Sequence, residues 1–199
     1  MISRSRAALA SLLVAGSLLL AYTHAAPAAV GTTVRMDVED LVDGADLVLE
    51  GRVASAVASL AEDGRWIETR YGLAVERTWL GEELGVRDVH LPGGVLADGS
   101  GMVVPGMPSL CVGERVVLFL TEPGPTGVRM PVGLAQGKMR IVAAPGGRAL
   151  AVTDASGATL VETEAHGIDL IHVRDYAAVV AEIEAASARK RARTSARGR

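Results

Sequence analysis

Residues 46–80 read DLVLEGRVASAVASLAEDGRWIETRYGLAVERTWL, and this stretch decides the fold. Leu47, Leu49, Gly51, Val53, Ser55, Val57 and Ser59 fall on one parity; Val48, Glu50, Arg52, Ala54, Ala56 and Ala58 fall on the other. Period-two alternation marks a half-buried strand, and Gly51 marks a place to bend it. Ile67, Thr69, Tyr71, Leu73, Val75, Arg77 and Trp79 repeat the pattern after Glu62-Asp63-Gly64. Asp-Gly between two alternating runs is a hairpin signal. The same alternation places Tyr71 and Trp79 on one face and Trp66 on the other, with Trp79 in the core.

Outward from this hairpin the chain stays β-like. Val86–Leu91 alternates, Arg115–Leu120 is a short apolar run of the kind found in central strands, and Val128–Val132, Lys138–Ala143 and Ala149–Thr153 are short runs split by Gly, Pro and Asp. The expected fold is mainly β: a small antiparallel OB-like β-barrel over residues 37–165. It carries a short N-terminal helix at Met36–Ala45, capped by Asp37 and ended by Gly44. A C-terminal amphipathic helix follows within 166–190, capped by Asp175, with Tyr176, Val179, Val180 and Ile183 at helical spacing. Leu170, Ile171 and Val173 are expected to dock its start. Residues 191–199 carry no apolar side and are expected to be a disordered basic tail.

Residues 1–25 read as a signal peptide. Arg4 and Arg6 precede an apolar run of about 15 residues, shorter than the roughly 20 needed to span a bilayer. Thr23-His24-Ala25 offers small residues at a cleavage site, so the cut falls at Ala25/Ala26 and 26–36 is a leader. The mature chain is expected to be secreted or periplasmic and not membrane-spanning. Residues 26–188 hold 12 basic and 23 acidic residues, a net charge of −11, while 189–199 hold six basic residues and no acid. An acidic body argues against a nucleic-acid face on the domain. Cys111 is the only cysteine, so no intramolecular disulfide forms, and its place beside an apolar strand predicts a buried thiol.

No residue pattern defines a reaction. His90, His166 and His172 lack the spacing of a zinc site, and no His-Glu-x-x-His occurs. Ser59, Ser100, Ser109 and Ser156 lie outside any Gly-x-Ser-x-Gly. Gly99-Ser100-Gly101 and Gly106 lack the helix and Lys-Ser/Thr of a phosphate loop. Glu82, Glu83, Glu162 and Glu164 leave a hydrolase with dispersed carboxylates as an alternative. No catalytic residue, metal or cofactor is therefore assigned. The best candidate for binding is the loop from Pro92 to Ser109, whose three prolines and five glycines bar a long regular element. It is apolar for a loop of its length. Gly93, Gly94, Gly101, Met102, Val104, Pro105 and Met107 are its candidate residues, for an unknown protein partner or envelope component. The chain thus reads as a non-enzymatic binding module.

Ala45–Val53 and Leu73–Gly81 together resemble the opening of netrin-like domains and tissue inhibitors of metalloproteinases, in which a Gly-x-Val strand is followed by one ending in Trp-x-Gly. Leu91–Gly94, Gly101–Pro108, Val112–Leu120 and Gly133–Lys138 resemble a group of uncharacterised exported bacterial proteins. The likeness covers roughly residues 40–143. It implies an OB-type barrel and secretion. The animal inhibitors place an N-terminal cysteine on the protease zinc. No cysteine lies near this mature N-terminus, so that mechanism transfers to no residue, and a protease-inhibitor-like protein acting by loop insertion is a further alternative.

Overall fold

The computed structural model describes residues 31–82, 85–154, 158–161 and 171–197. The signal peptide with Ala25, Ala26 and residues 27–30 of the leader, Glu83, Ser156, Glu162, Glu164, His166 and Leu170 lie outside the described residues. The first helix, α1 (Val38–Gly44), forms where Asp37 accepts from the Asp40 N–H at 2.9 Å and Asp40 accepts in return from the Asp37 N–H at 3.2 Å. This reciprocal cap satisfies donors the helix itself cannot use. Gly44 does not end the helix by a left-handed turn. It is the last helical residue, and a Cβ there would stand 2.8 Å from Val132 Cγ1, so close packing selects glycine.

Strands β1 (Gly31–Val34), β2 (Leu47–Leu60), β3 (Ile67–Leu80), β4 (Val86–Pro92), β5 (Gly94–Val95), β6 (Gly101–Met102), β7 (Arg115–Leu120), β8 (Lys138–Ala143), β9 (Ala149–Asp154), β10 (Ala158–Val161) and β11 (Ile171–Asp175) follow, and α2 (Tyr176–Arg197) closes the described chain. Seven of the strands form one antiparallel sheet in the order β11-β9-β8-β7-β2-β3-β4. β1 pairs in parallel with β10, and β5 forms a small hairpin with β6. The expected mainly β architecture with its two helices is present, but the barrel is open, with β4 and β11 at its edges. Val128–Val132 is not a strand. It bridges Leu120 through Pro131, and the Arg129 N–H reaches the His90 carbonyl of β4 at 3.0 Å.

Both faces of the central strands are buried, which is why β7 is apolar throughout. Val117 and Phe119 of β7 join Val48, Met139, Ile141 and the helices on one face. Val116, Leu118 and Leu120 join Leu47, Leu49, Tyr71, Leu73, Val89 and Leu91 on the other. Strict alternation fails along β3. Gly51 pairs with Val75 and Glu50 with Arg77, so Glu76 is an extra residue, and Trp79 is another between Thr78 and Leu80. Each bulge turns the following side chains over. Tyr71 and Trp79 therefore sit in different cores. Trp79 is core as expected, 6% exposed against the helices.

Asp175 caps α2 by accepting from the Ala178 N–H at 3.2 Å, and Val179, Ile183 and Ala186 are buried at helical spacing. Ile171 and Val173 do not dock the helix. They belong to the edge strand β11 and are exposed. The basic segment is not a disordered tail through Arg197, because α2 continues to that residue. Lys190 Nζ donates to the Val42, Asp43 and Ala45 carbonyls, Arg189 pairs with Glu39, Arg193 with Asp43, and Arg191 donates to the Trp79 carbonyl. Lys190 and Arg193 answer the C-terminal end of α1, where carbonyls concentrate negative charge, and Arg189 answers the acidic first turn. Among the described residues, no helix is long and apolar enough to cross a membrane.

Candidate functional site

The long connection from β4 to β7 carries the chain past β3 and β2 to the far side of the sheet, and the candidate site is built along it. At its base the Gly93 N–H bonds the Ile67 carbonyl at 2.7 Å and Thr69 Oγ1 donates to the Gly93 carbonyl at 2.6 Å. Gly94 has φ 142° and lies so close to β3 that a Cβ would fall 2.2 Å from Thr69 Oγ1. Only glycine meets both demands. Gly94 then pairs with Met102 and Val95 with Gly101. The tip between them is tied by Asp98, which accepts from Ser100 Oγ at 2.6 Å and from the Ser100 N–H at 2.9 Å. The Ser100 hydroxyl, and then its N–H, hold the Asp98 carboxyl below its ordinary value.

Val104-Pro105-Gly106-Met107 is a turn closed by Met107 N–H to Val104 carbonyl at 3.0 Å, with proline second and positive-φ glycine third. The structure therefore brings Gly93, Gly94, Gly101, Met102 and Val104 together at the small hairpin. Pro105 lies within the turn, and the chain beyond it turns toward β8. There Met107, Pro108, Glu114, Lys138 and Arg140 line a cavity of about 360 Å³. Met102, Val104 and Met107 are half-buried, neither core plugs nor free surface. The fully displayed apolar side chains are others: Val103 is 92% exposed and Val95 68% exposed, with Val57 and Leu60 of β2 also exposed. The base glycine packs on Ala58 and Ile67, so these valines share one end of the sheet with the tip of the β2–β3 hairpin.

Past the loop, Leu110 is buried but Cys111 is exposed, contrary to the expected buried thiol. The reason is a turn: the Glu114 N–H bonds the Cys111 carbonyl at 3.0 Å, and Gly113 takes φ 87°, so Cys111 and Val112 swing outward before β7 begins. The Glu114 carboxylate accepts from the Cys111 N–H at 3.0 Å and from Lys138 Nζ at 2.8 and 3.0 Å. Here β8 leaves β7. The last pair is Val116 with Arg140, and Ile141–Ala143 pair onward only with β9. The fork opens a groove of about 640 Å³ lined by Arg52, Cys111, Glu114, Arg115, Arg140 and Arg148 among others.

Arg115 also anchors a buried charge. Glu50 is 1% exposed; its Oε2 accepts from Tyr176 Oη at 2.7 Å, and its Oε1 faces Arg115 Nη2 at 2.7 Å off the hydrogen-bonding angle. Arg115 Nε also meets Glu76 Oε2 at 2.9 Å, and its guanidinium lies over the Tyr176 ring. Burial opposes the charge on Arg115, yet Glu50 and Glu76 together hold its pKa above the ordinary value. Burial, followed by donation to Glu50, pushes the Tyr176 hydroxyl up to about 12. These contacts fasten the start of α2 to β2 and β7.

The other candidate residues stay apart. His90 Nδ1 lies 3.5 Å from Glu68, and His172 is on edge strand β11. Among the described residues, no three His, Cys, Asp or Glu side chains gather as metal ligands. Sequence reasoning missed the arginine-lined fork and the buried Glu50, because both depend on strand register. The visible hint was an arginine heading the apolar run that became β7. No family model, no curated protein and no solved structure matches the chain.

Proposed function

We propose that the mature chain is an exported, non-enzymatic binding module that docks a protein partner through the β5–β6 hairpin and the segment after it. One observation carries this reading: Val103 stands 92% exposed on a loop whose base is tied to β3 by two backbone-directed hydrogen bonds. An apolar side chain displayed on a pre-ordered loop gains contact area on docking and loses little freedom. The secretory pattern of residues 1–25 supports action outside the cytoplasm, and the likeness to netrin-like domains supports secretion. The test uses the exported species, expected to begin at Ala26. A partner retained by the wild-type protein from the exported fraction should be lost by Val95→Asp/Val103→Asp, with the melting temperature unchanged. Retention by the double variant would overturn the docking surface, and an exported species that keeps Met1 would overturn cleavage.

A further inference from the structure

The body of this protein is acidic, yet four of its 12 basic residues line the single groove at the fork between β7 and β8. Arg52 and Arg115 are direct cross-strand partners on β2 and β7. Arg140 is the last β8 residue paired to β7, and Arg148 enters from the turn before β9. Like charges placed opposite one another destabilise a sheet unless something answers them. Arg115 is answered by Glu50 and Glu76. Glu114, the acid in the groove wall, is already taken by Lys138 and stands 4.0 Å from Arg140. Arg52 donates to the Gly113 carbonyl at 2.8 Å, which leaves its charge uncompensated. The Arg148 guanidinium has no hydrogen-bond or ion-pair partner among the described residues.

We infer that this groove binds a phosphate-bearing small molecule, with the phosphate held by Arg52 and Arg148, the two guanidinium groups in its lining that no carboxylate among the described residues answers. Guanidinium forks match phosphate oxygens in paired hydrogen bonds, which a lysine cluster would not do. A carboxylate brings one negative charge to these two cations, whereas a phosphate ester or pyrophosphate brings two or three. The groove, at about 640 Å³, exceeds a phosphate group, and Ile141, Val142 and Ala149 line the remainder. The phosphate is thus the anchor of a larger ligand with a less polar part. The site shares no residue with the β5–β6 hairpin and stands whether or not that hairpin docks a partner.

Cys111 is exposed and lines the same groove, so an uncharged maleimide reads its occupancy. Pyrophosphate, compared with sodium chloride at matched ionic strength, should slow labelling of the native wild-type protein several-fold. Vesicles containing phosphatidylglycerol form a second arm that presents the same phosphate as a lipid headgroup. Each protein is compared with its own ligand-free rate. Arg52→Ser/Arg148→Ser should label at a rate that neither probe changes; if that pair of substitutions impairs folding, Arg148→Ser alone serves, since its side chain supports nothing. Protection by pyrophosphate that the variant loses assigns a free phosphate compound, and protection by vesicles alone assigns a headgroup. Protection by neither probe, or protection that survives in the variant, would overturn the inference.

Discussion

The two ends of the sheet are built on different terms. Where α1 and α2 cover it, Val42, Phe119, Val179 and Ile183 are wholly buried, a carboxylate lies beneath the helix start, and Lys190 satisfies three carbonyls. Where the long connection passes, strands shrink to two residues, valines face solvent and arginines line an open fork. The first is sealed by helices, and the second displays apolar and basic side chains. A rigid frame with a displayed loop is a common division of labour. The sharpest way to break the comparison is to substitute both ends. Phe119→Ala, which empties the helix-covered core, should cost about 3–5 kcal/mol in a denaturant titration. Val103→Asp should stay within about 0.5 kcal/mol. Similar losses at the two positions would erase the distinction.

A smaller effect tests whether the basic segment belongs to the frame. Lys190→Met removes the donor shared by the Val42, Asp43 and Ala45 carbonyls and should cost about 1–3 kcal/mol. Arg197→Ala, in the last turn of the same helix, should change the midpoint little. A neutral outcome for Lys190→Met would return this segment to the status of a solvated tail.

Local patterns carried much of the fold. Asp37 and Asp175 declared their caps, Asp63-Gly64 its turn, and Val179 and Ile183 the buried stripe of α2, because each signal acts within a few residues. What escaped depends on contacts distant in sequence. The charges from Arg189 to Arg193 look solvated until Glu39 and Asp43 are seen opposite them. The fork needs the pairings of Arg52 with Arg115 and Arg140 with Val116, which two bulges in β3 and another beside Ala54 make hard to count by alternation. Cys111 misled because the apolar run beside it predicts burial, whereas Gly113 turns the chain out one step earlier. The loop was found by composition, but its most exposed residue, Val103, was not among the candidates, since composition does not say which apolar side chains point away.

The smallest expected effect concerns how the two ends are joined, through Tyr176 on Glu50. In the folded protein burial and donation to Glu50 push the tyrosine hydroxyl up to about 12, against about 10 in an unfolded chain. The folded state therefore keeps this proton at a pH where the unfolded state has released it. Between those values the unfolded state binds fewer protons, so the slope of stability with pH is negative. The contribution is complete below about pH 10 and is lost as pH rises toward about 12. Tyr176 is only half-buried, and solvent screening reduces the effect to on the order of 1 kcal/mol. Stability of the wild type and of Tyr176→Phe should be compared at about pH 9 and about pH 11. Other groups titrate equally in both proteins, so the wild type should lose more over that interval, and the advantage of the hydroxyl should shrink. Parallel curves would mean that Tyr176 does not donate to Glu50 in solution. Arg115 would then be the sole polar partner of a buried carboxylate, and the division between a sealed frame and an open fork would have to be redrawn at the residue that touches both.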